Sequence, residues 1–384
     1  MNLKNPKVLI PQIITVVSLV SIIAYFAFNA QTNMGNRGIS FGYGFLNQEA
    51  SFDIGFSLID YDGSMSYARA FLVGLLNTLL VSAVGILFAT IIGVIVGVGR
   101  LSSNLLIAKA AEAYVEIFRN IPLLLQLFFW YYAALRALPL PENAINIFDV
   151  SYLTVKGWYV PKFIWTNFSV FLLSILASII AIVFVFKYAK KQREEIGKQV
   201  PTFYISLSIL ILFPLLTFLV GGVSLNFQIP VLSQMSTTIF NFKGGVSIIP
   251  ELISLALALS MYTATFIAEN VRAGILGVTK GQKEAAASIG LTKGQILKLV
   301  VMPQALRIII PPTTNQYLNL TKNSSLAAAI AYPDIVLVFA GTALMQTGRA
   351  VEIISITMGT YLFISLSIST LMNWYNKSVA IKEK

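Results

Sequence analysis

Gly281–Pro303 reads GQKEAAASIGLTKGQILKLVVMP. The stretch is too polar to cross a bilayer and too rich in helix formers to be a loose loop. Lys280–Ile289 predicts a short helix, with three consecutive alanines in it. Gly290 stands where a helix C-cap falls. Thr292 can cap a second helix over Lys293–Met302, and Pro303 is expected to end it. That second helix is amphipathic, with Ile296, Leu297, Val300 and Val301 set against Lys293 and Lys298. Ala285, Ala286, Ala287 and Ser288 make a small, smooth surface. It suits either a cleft on a separate soluble protein or this chain's own helix ends.

The chain around the stretch belongs in a membrane. Of its 384 residues 57% are hydrophobic and only 11% charged, against about 25% charged in soluble domains. Its mean hydropathy is +0.78. The apolar runs are continuous rather than alternating, so they read as helices and not as barrel strands. Eight spans are expected, near 8–28, 71–98, 112–135, 167–187, 202–222, 249–268, 324–344 and 353–373. The first is read as an anchor, with Lys4 and Lys7 before it.

Basic residues set the orientation. With both termini in the cytoplasm, eighteen Lys and Arg fall inside and seven outside, while Arg119 and Lys322 sit near helix ends. This bias accounts for the net charge of +11 without nucleic acid as a partner. The opening stretch then lies in the cytoplasm between the sixth and seventh spans. Residues 29–70 form the longest outside segment. They are rich in Gly and Asn, carry Glu49, Asp53, Asp60 and Asp62, and are expected to be loosely structured. With no Cys and no His, disulfides, the usual zinc sites and histidine-assisted serine catalysis are excluded.

The stretch also resembles the cytoplasmic signature of the membrane subunits of binding-protein-dependent ATP-binding-cassette importers. That signature is Glu-Ala-Ala, three residues, Gly, nine residues, Ile-x-Leu-Pro. Here Glu284-Ala285-Ala286 leads at the same spacing to Gly290 and to Val300-Val301-Met302-Pro303, with Val for Ile and Met for Leu. The resemblance runs over about 70–376. NTLLVSAVGILFATIIGVIVGVGRLS (Asn77–Ser102), YVEIFRNIPLLLQLFFWYY (Tyr114–Tyr132), FIAENVRAGILGVTKGQKEAAASIG (Phe266–Gly290) and LTKNSSLAAAI (Leu320–Ile330) match the polar amino-acid subfamily in order. Where family members have Arg-Gly-Thr-Pro, this chain has Arg119-Asn120-Ile121-Pro122. It also carries an insertion at about 137–248, with two added spans, which is similar to the general L-amino acid transporter group.

The resemblance implies an all-α polytopic fold, the type I importer transmembrane domain with an inserted helix pair. It implies three regions: an anchor and outside loop over 1–70, the transmembrane domain over 71–376, and a cytoplasmic tail over 377–384. It makes 281–303 the segment that docks on the ATPase, with Gly281, Glu284, Ala285, Ala286, Gly290 and Pro303 as its residues. The implied partners are an ATP-binding subunit, a second permease subunit, a periplasmic solute-binding protein, membrane lipid and an amino-acid substrate. No Gly-x-x-x-x-Gly-Lys-Ser/Thr occurs, so no phosphate loop is present, and ATP is expected on another polypeptide. The rival readings are an ion-coupled secondary amino-acid transporter, disfavoured because the halves show no convincing repeat, and a membrane enzyme, disfavoured by the lack of His, Cys and paired carboxylates.

Other residues carry smaller expectations. Gly85, Ala89, Gly93 and Gly97 repeat every four residues and predict a close packing face. Pro122 predicts a kink. Arg119 either snorkels or pairs with Glu112 or Glu116. Glu269 is spaced to pair with Arg272 on one helix surface. Asp334 follows Pro333 about half-way along the expected seventh span, downstream of a dense polar run from Asn315 to Ser325. Lys322, Asn323, Ser324 and Asp334 are candidates for the substrate path, since a zwitterion needs a donor for its carboxylate and an acceptor for its ammonium. The same run can also be no more than a helix end.

Overall fold

The computed structural model describes residues 6–36, 42–197, 200–220, 222–234 and 240–379. It is mostly helical, at 73%. Six helices among the described residues are long and apolar enough to cross a membrane, and three shorter apolar helices accompany them. The chain divides into two compact units, Met1–Ala133 with Glu251–Lys384, and Ala134–Pro250.

The first unit opens with α1, Pro6–Asn36. It is followed by α2, Tyr67–Gly99, capped by Ser66, whose hydroxyl accepts from the Arg69 N–H. The third expected span is interrupted. It consists of α3, Leu105–Asn120, and α4, Leu123–Phe128, which runs on as π-helical turns to Leu135. Pro122 has no N–H to continue the ladder and biases Ile121 out of helical geometry. Gln126 repairs the break, donating from Nε2 to the carbonyls of Phe118 at 2.7 Å and Ile121 at 2.9 Å.

The second unit contains α5, Phe168–Ile196, and α6, Thr202–Leu219. Short strands flank this pair: β1 (Ile145–Ile147), β2 (Ser151–Thr154), β3 (Gly157–Val160) and β4 (Lys162–Thr166) before it, and β5 (Ser224–Gln228), β6 (Val231–Gln234), β7 (Phe240–Lys243) and β8 (Val246–Ile248) after it. Strands β1-β2-β3-β8 form one sheet, and β4–β5 and β6–β7 form two antiparallel pairs. The strands carry three to five residues each, too few for alternation to declare itself in the sequence. Stacked rings hold them, as Phe242 lies 4.6 Å from Tyr152 and 4.8 Å from Tyr159.

The first unit resumes with α7, Pro250–Leu276, and α8, Lys280–Ser288. A single turn, α9 at Lys293–Gln295, passes through π-helical turns at Ile296–Val301 into α10, Met302–Asn323, and a 3₁₀ extension to Ile330. Pro303 therefore does not end the second helix. The wider turn just before it absorbs the missing N–H, with Met302 donating back to Leu297.

The expected seventh span at 324–344 is also corrected. The membrane-length helix is Lys293–Ile330. Ala331, in left-handed geometry at φ 59, and Pro333 then break the chain, and a separate short helix follows over Val336–Ala343 and α11, Leu344–Thr347. The sequence window merged the end of one helix with the next, because the break holds only one proline and no run of polar residues. The last helix is α12, Ala350–Val379.

Helix α2 is the spine of this unit. Gly85, Ala89, Gly93 and Gly97 are all buried, as the four-residue spacing predicts. A Cβ at Gly93 would lie 2.7 Å from Ile267 of α7. One at Gly97 would lie 2.7 Å from the Ala268 carbonyl, and one at Gly85 would lie 3.1 Å from Leu320 of α10. In lipid, such close backbone approach supplies the contact that hydrophobicity cannot.

The segment expected to be loose is ordered over 42–66, while 37–41 lie outside the described residues. Phe45 is buried with Tyr67, Ile335, Phe339 and Ile353. The Gly42 N–H donates to Glu352 at 2.9 Å, and the Arg349 guanidinium donates to the Gly42 carbonyl at 3.0 Å while lying 5.6 Å from the Phe45 ring. Low average hydrophobicity concealed six apolar anchors, Phe45, Leu46, Ala50, Phe52, Ile54 and Tyr61.

Gly93→Leu overpacks the α2–α7 contact and is expected to cost at least about 1–3 kcal/mol, or to prevent folding. Gly359→Leu, on α12 with nothing within 4 Å, is expected to be tolerated. Thermal unfolding of the two detergent-purified variants checks this.

Candidate functional site

Three places in the first unit carry the residues singled out above. The coupling stretch is the most exposed. α8 presents Gly281, Glu284, Ala285 and Ser288 on its open face, while Ala286 is buried. The alanines divide the two expected roles between them, one packing inward and its neighbour facing out. Glu284 pairs with Lys280 at 3.4 Å and keeps 65% of its side chain exposed. Gly290 adopts φ +84, a left-handed cap that glycine takes without strain. Thr292 and Gln295 then form a reciprocal capping box. Ile289, 77% exposed at the hinge, is an apolar side chain without cover. Pro303 is half-buried in the following helix.

The second place is α10. Pro311, Asn315, Asn319 and Lys322 are exposed along one stripe at helical spacing. Their depth follows from neighbours. Gly85, near the middle of the 33-residue α2, packs on Leu320 and accepts from the Ser260 hydroxyl at 3.4 Å. Lys322 lies two residues beyond Leu320, about 3 Å along the axis. The ion pairs among the described residues do not include it.

The third place is the elbow at 331–335. Asp334 is fully buried. Its Oδ1 accepts the Leu337 N–H at 2.9 Å and its Oδ2 accepts the Tyr361 hydroxyl at 3.5 Å, so it caps the short helix that follows. Asn77 of α2 donates to the carbonyls of Phe56 and Pro333, both at 2.9 Å. The Tyr332 hydroxyl donates back to the Asn77 carbonyl, and Thr78 accepts the Ile335 N–H at 3.0 Å. The four substrate-path candidates are thereby separated: Lys322 is exposed, Asn323 half-buried, and Ser324 and Asp334 buried.

Two pairings differ from expectation. Arg119 does not reach Glu112 or Glu116; its guanidinium lies 5.3 Å from the Phe266 ring, and Glu112 is held by Lys109 at 2.7 Å. Glu269 does bind Arg272, at 3.1 Å, and also receives a hydrogen bond from Arg100 at the end of α2. Arg100 escaped notice because a basic residue at a helix end already satisfied the charge-bias reading. Gln126 and Asn77 gave no signal either, since a single amide in an apolar run has no spacing to mark it.

The family model for "binding-protein-dependent transport system inner membrane component" matches residues 195–381. Over 374 residues the chain is 49% identical to the putative amino-acid ABC transporter permease protein YhdX of Escherichia coli (strain K12), covering 97% of this chain and 94% of that one. The chain belongs to the ABC transporter permeases. It is also 46% identical to the general L-amino acid transport system permease protein AapQ of Rhizobium johnstonii, across 97% of this chain and 92% of the relative. With the glutamate/glutamine/aspartate/asparagine transport system permease protein BztB of Rhodobacter capsulatus it shares 38% identity, across 97% and 93%. The permease is thus a membrane-spanning subunit of an importer and not an ion-coupled secondary transporter. Subunits of this kind work with an ATP-binding subunit, a binding protein and a partner permease.

Asp334→Ala strips the cap from the short helix and the partner from Tyr361, and is expected to destabilise the permease by about 1–3 kcal/mol. Asp334→Asn keeps an acceptor oxygen and should retain most of that stability. Unfolding midpoints of the two variants, read beside the parent, test the capping role.

Proposed function

We propose that this permease carries L-amino acids, of the general or acidic and amide classes named for its relatives, across the bacterial inner membrane with both termini in the cytoplasm. The proposed organisation is an anchor and outside loop over 1–70, a transmembrane domain over 71–376 interrupted by the insertion at 137–248, and a tail over 377–384. Substrate arrives from a periplasmic binding protein, a second permease completes the path, and ATP is bound and hydrolysed by the ATP-binding subunit alone. The observation that carries this reading is the exposed α8–α9 hinge, at family spacing. Glu284, Ala285 and Ser288 face out for docking, and Ile289 supplies an apolar anchor of the kind interface cores favour. Ala286 fixes the helix from behind, and Gly281 and Gly290 leave its ends free to turn.

The α10 stripe is the proposed wall of the path. An ammonium at mid-membrane depth costs roughly 2.5–3.5 kcal/mol in contact with lipid, so Lys322 faces water or another subunit. Asn315 and Asn319 share its face. Lys322 is the donor for the substrate carboxylate, with Asn323 beside it. Ser324 and Asp334 hold the helix ends that position it.

Gly290→Trp or Glu284→Lys is expected to abolish binding-protein-stimulated ATP hydrolysis by the assembled importer without lowering membrane insertion; full stimulation in either variant would refute the docking role. Lys322→Gln is expected to raise the substrate concentration for half-maximal uptake about tenfold, the loss of roughly one charge-assisted hydrogen bond. Uptake of radiolabelled glutamate into proteoliposomes, titrated for the parent and the variant, decides it.

A further inference from the structure

The Arg100–Glu269–Arg272 cluster joins the end of α2 to the last two turns of α7, the helix that leads into the coupling segment. α7 ends at Leu276, and only Gly277, Val278 and Thr279 separate it from α8. Val278 is buried, so a displacement of α8 is passed to α7 rather than lost in a slack linker. α7 in turn is wedged on two sides. A Cβ at Gly274 would lie 2.3 Å from Ile309 of α10, and one at Gly277 would lie 2.9 Å from Ile308. On the other side Gly93 and Gly97 of α2 close on Ile267, Ala268 and Val271.

These contacts resist compression. Against separation they offer dispersion energy spread over many atom pairs, without a directional bond. A transporter that cycles between two states must also pull. On the α2 side a long hydrogen bond joins Ser260 to the Gly85 carbonyl near the middle of α2, and the charged tie at the end of α2 is the carboxylate of Glu269. It accepts from Arg100 Nη1 through Oε2 and from Arg272 Nη1 through Oε1. Arg272, one turn on in the same helix, orients the carboxylate. Arg100, with a side chain only 15% exposed, is the C-cap residue of α2. Four residues later Asn104 caps α3, accepting from the Leu106 N–H at 2.9 Å. α3 leads to the break at Ile121–Pro122.

We propose that Glu269 is a positioning residue for energy coupling, the tie through which movement of α8 and α7 pulls on α2 and α3 and so on the interrupted third span. The proposal rests on the reading of this chain as an ATP-driven importer subunit. It assigns Glu269 no contact with substrate or nucleotide. Its role is to make the ends of α2 and α7 travel together in both directions of the cycle.

The test uses the complete importer in proteoliposomes, with its partner permease, ATP-binding subunit and binding protein. Coupling between sites is typically worth a factor of five to 150. In Glu269→Gln the stimulation of ATP hydrolysis by loaded binding protein, and amino-acid uptake with it, is expected to fall at least about fivefold, with basal hydrolysis and assembly yield unchanged. This chain has no cysteine, so Arg100→Cys with Glu269→Cys gives it one thiol pair, to be cross-linked with the partner subunits in cysteine-free form. That variant should be uncoupled as made and should recover most of the stimulation once a short bis-maleimide joins the two thiols. Undiminished stimulation in Glu269→Gln, a parallel fall of basal hydrolysis and yield, or no recovery on cross-linking would each overturn the tie. Wild-type uptake that follows an ion gradient and ignores ATP would overturn the functional reading instead, and the tie with it.

Discussion

The structure depends on the glycine face of α2. Helices in lipid gain nothing from hiding apolar side chains, so they associate only where backbones can approach and dispersion contacts multiply. α2 provides that approach at four levels. Gly74 meets Ile335 at the elbow, Gly85 meets Leu320 of α10, and Gly93 and Gly97 meet α7. Everything assigned a role hangs from these contacts: the depth of Lys322, the placing of the elbow that Asp334 caps, and the rigid α7 from which α8 projects.

Much of this was legible in the sequence, and the limits are physical. Continuous apolar runs mark helices because each residue contributes independently to hydropathy. The small-residue period on α2 is visible because packing needs a strict spacing. The α8–α9 hinge was readable because glycine and a capping threonine have distinct local chemistry. The failures have two causes, local backbone geometry that propensity does not encode and tertiary anchoring. Pro303 was expected to stop a helix, and the wider turn at Ile296–Val301 let it continue. The 324–344 window looked like one span, and Ala331 and Pro333 divided it. The loop at 42–66 looked slack, and Phe45, Arg349 and Glu352 fastened it. Only in the last case does the deciding partner lie far along the chain.

The candidate site shows the same division. Local features of 281–303 could be named one residue at a time. The substrate-path candidates could not be ranked, because they adjoin in sequence but differ in burial. Ser324 gives its hydroxyl to the Thr321 carbonyl at 2.7 Å, inside the helix packing, while Lys322 points out. Two residues of helix reverse the role of a polar side chain.

The inserted pair α5–α6 has a feature of its own. β4 ends one residue before α5, and β5 begins a few residues after α6. These strands pair in register from Lys162 with Gln228 to Thr166 with Ser224. The chain therefore enters and leaves the helix pair at adjacent points. A segment closed at its base in this way can be gained or lost in one piece during descent, and the flanking sequence need not shift to accommodate it.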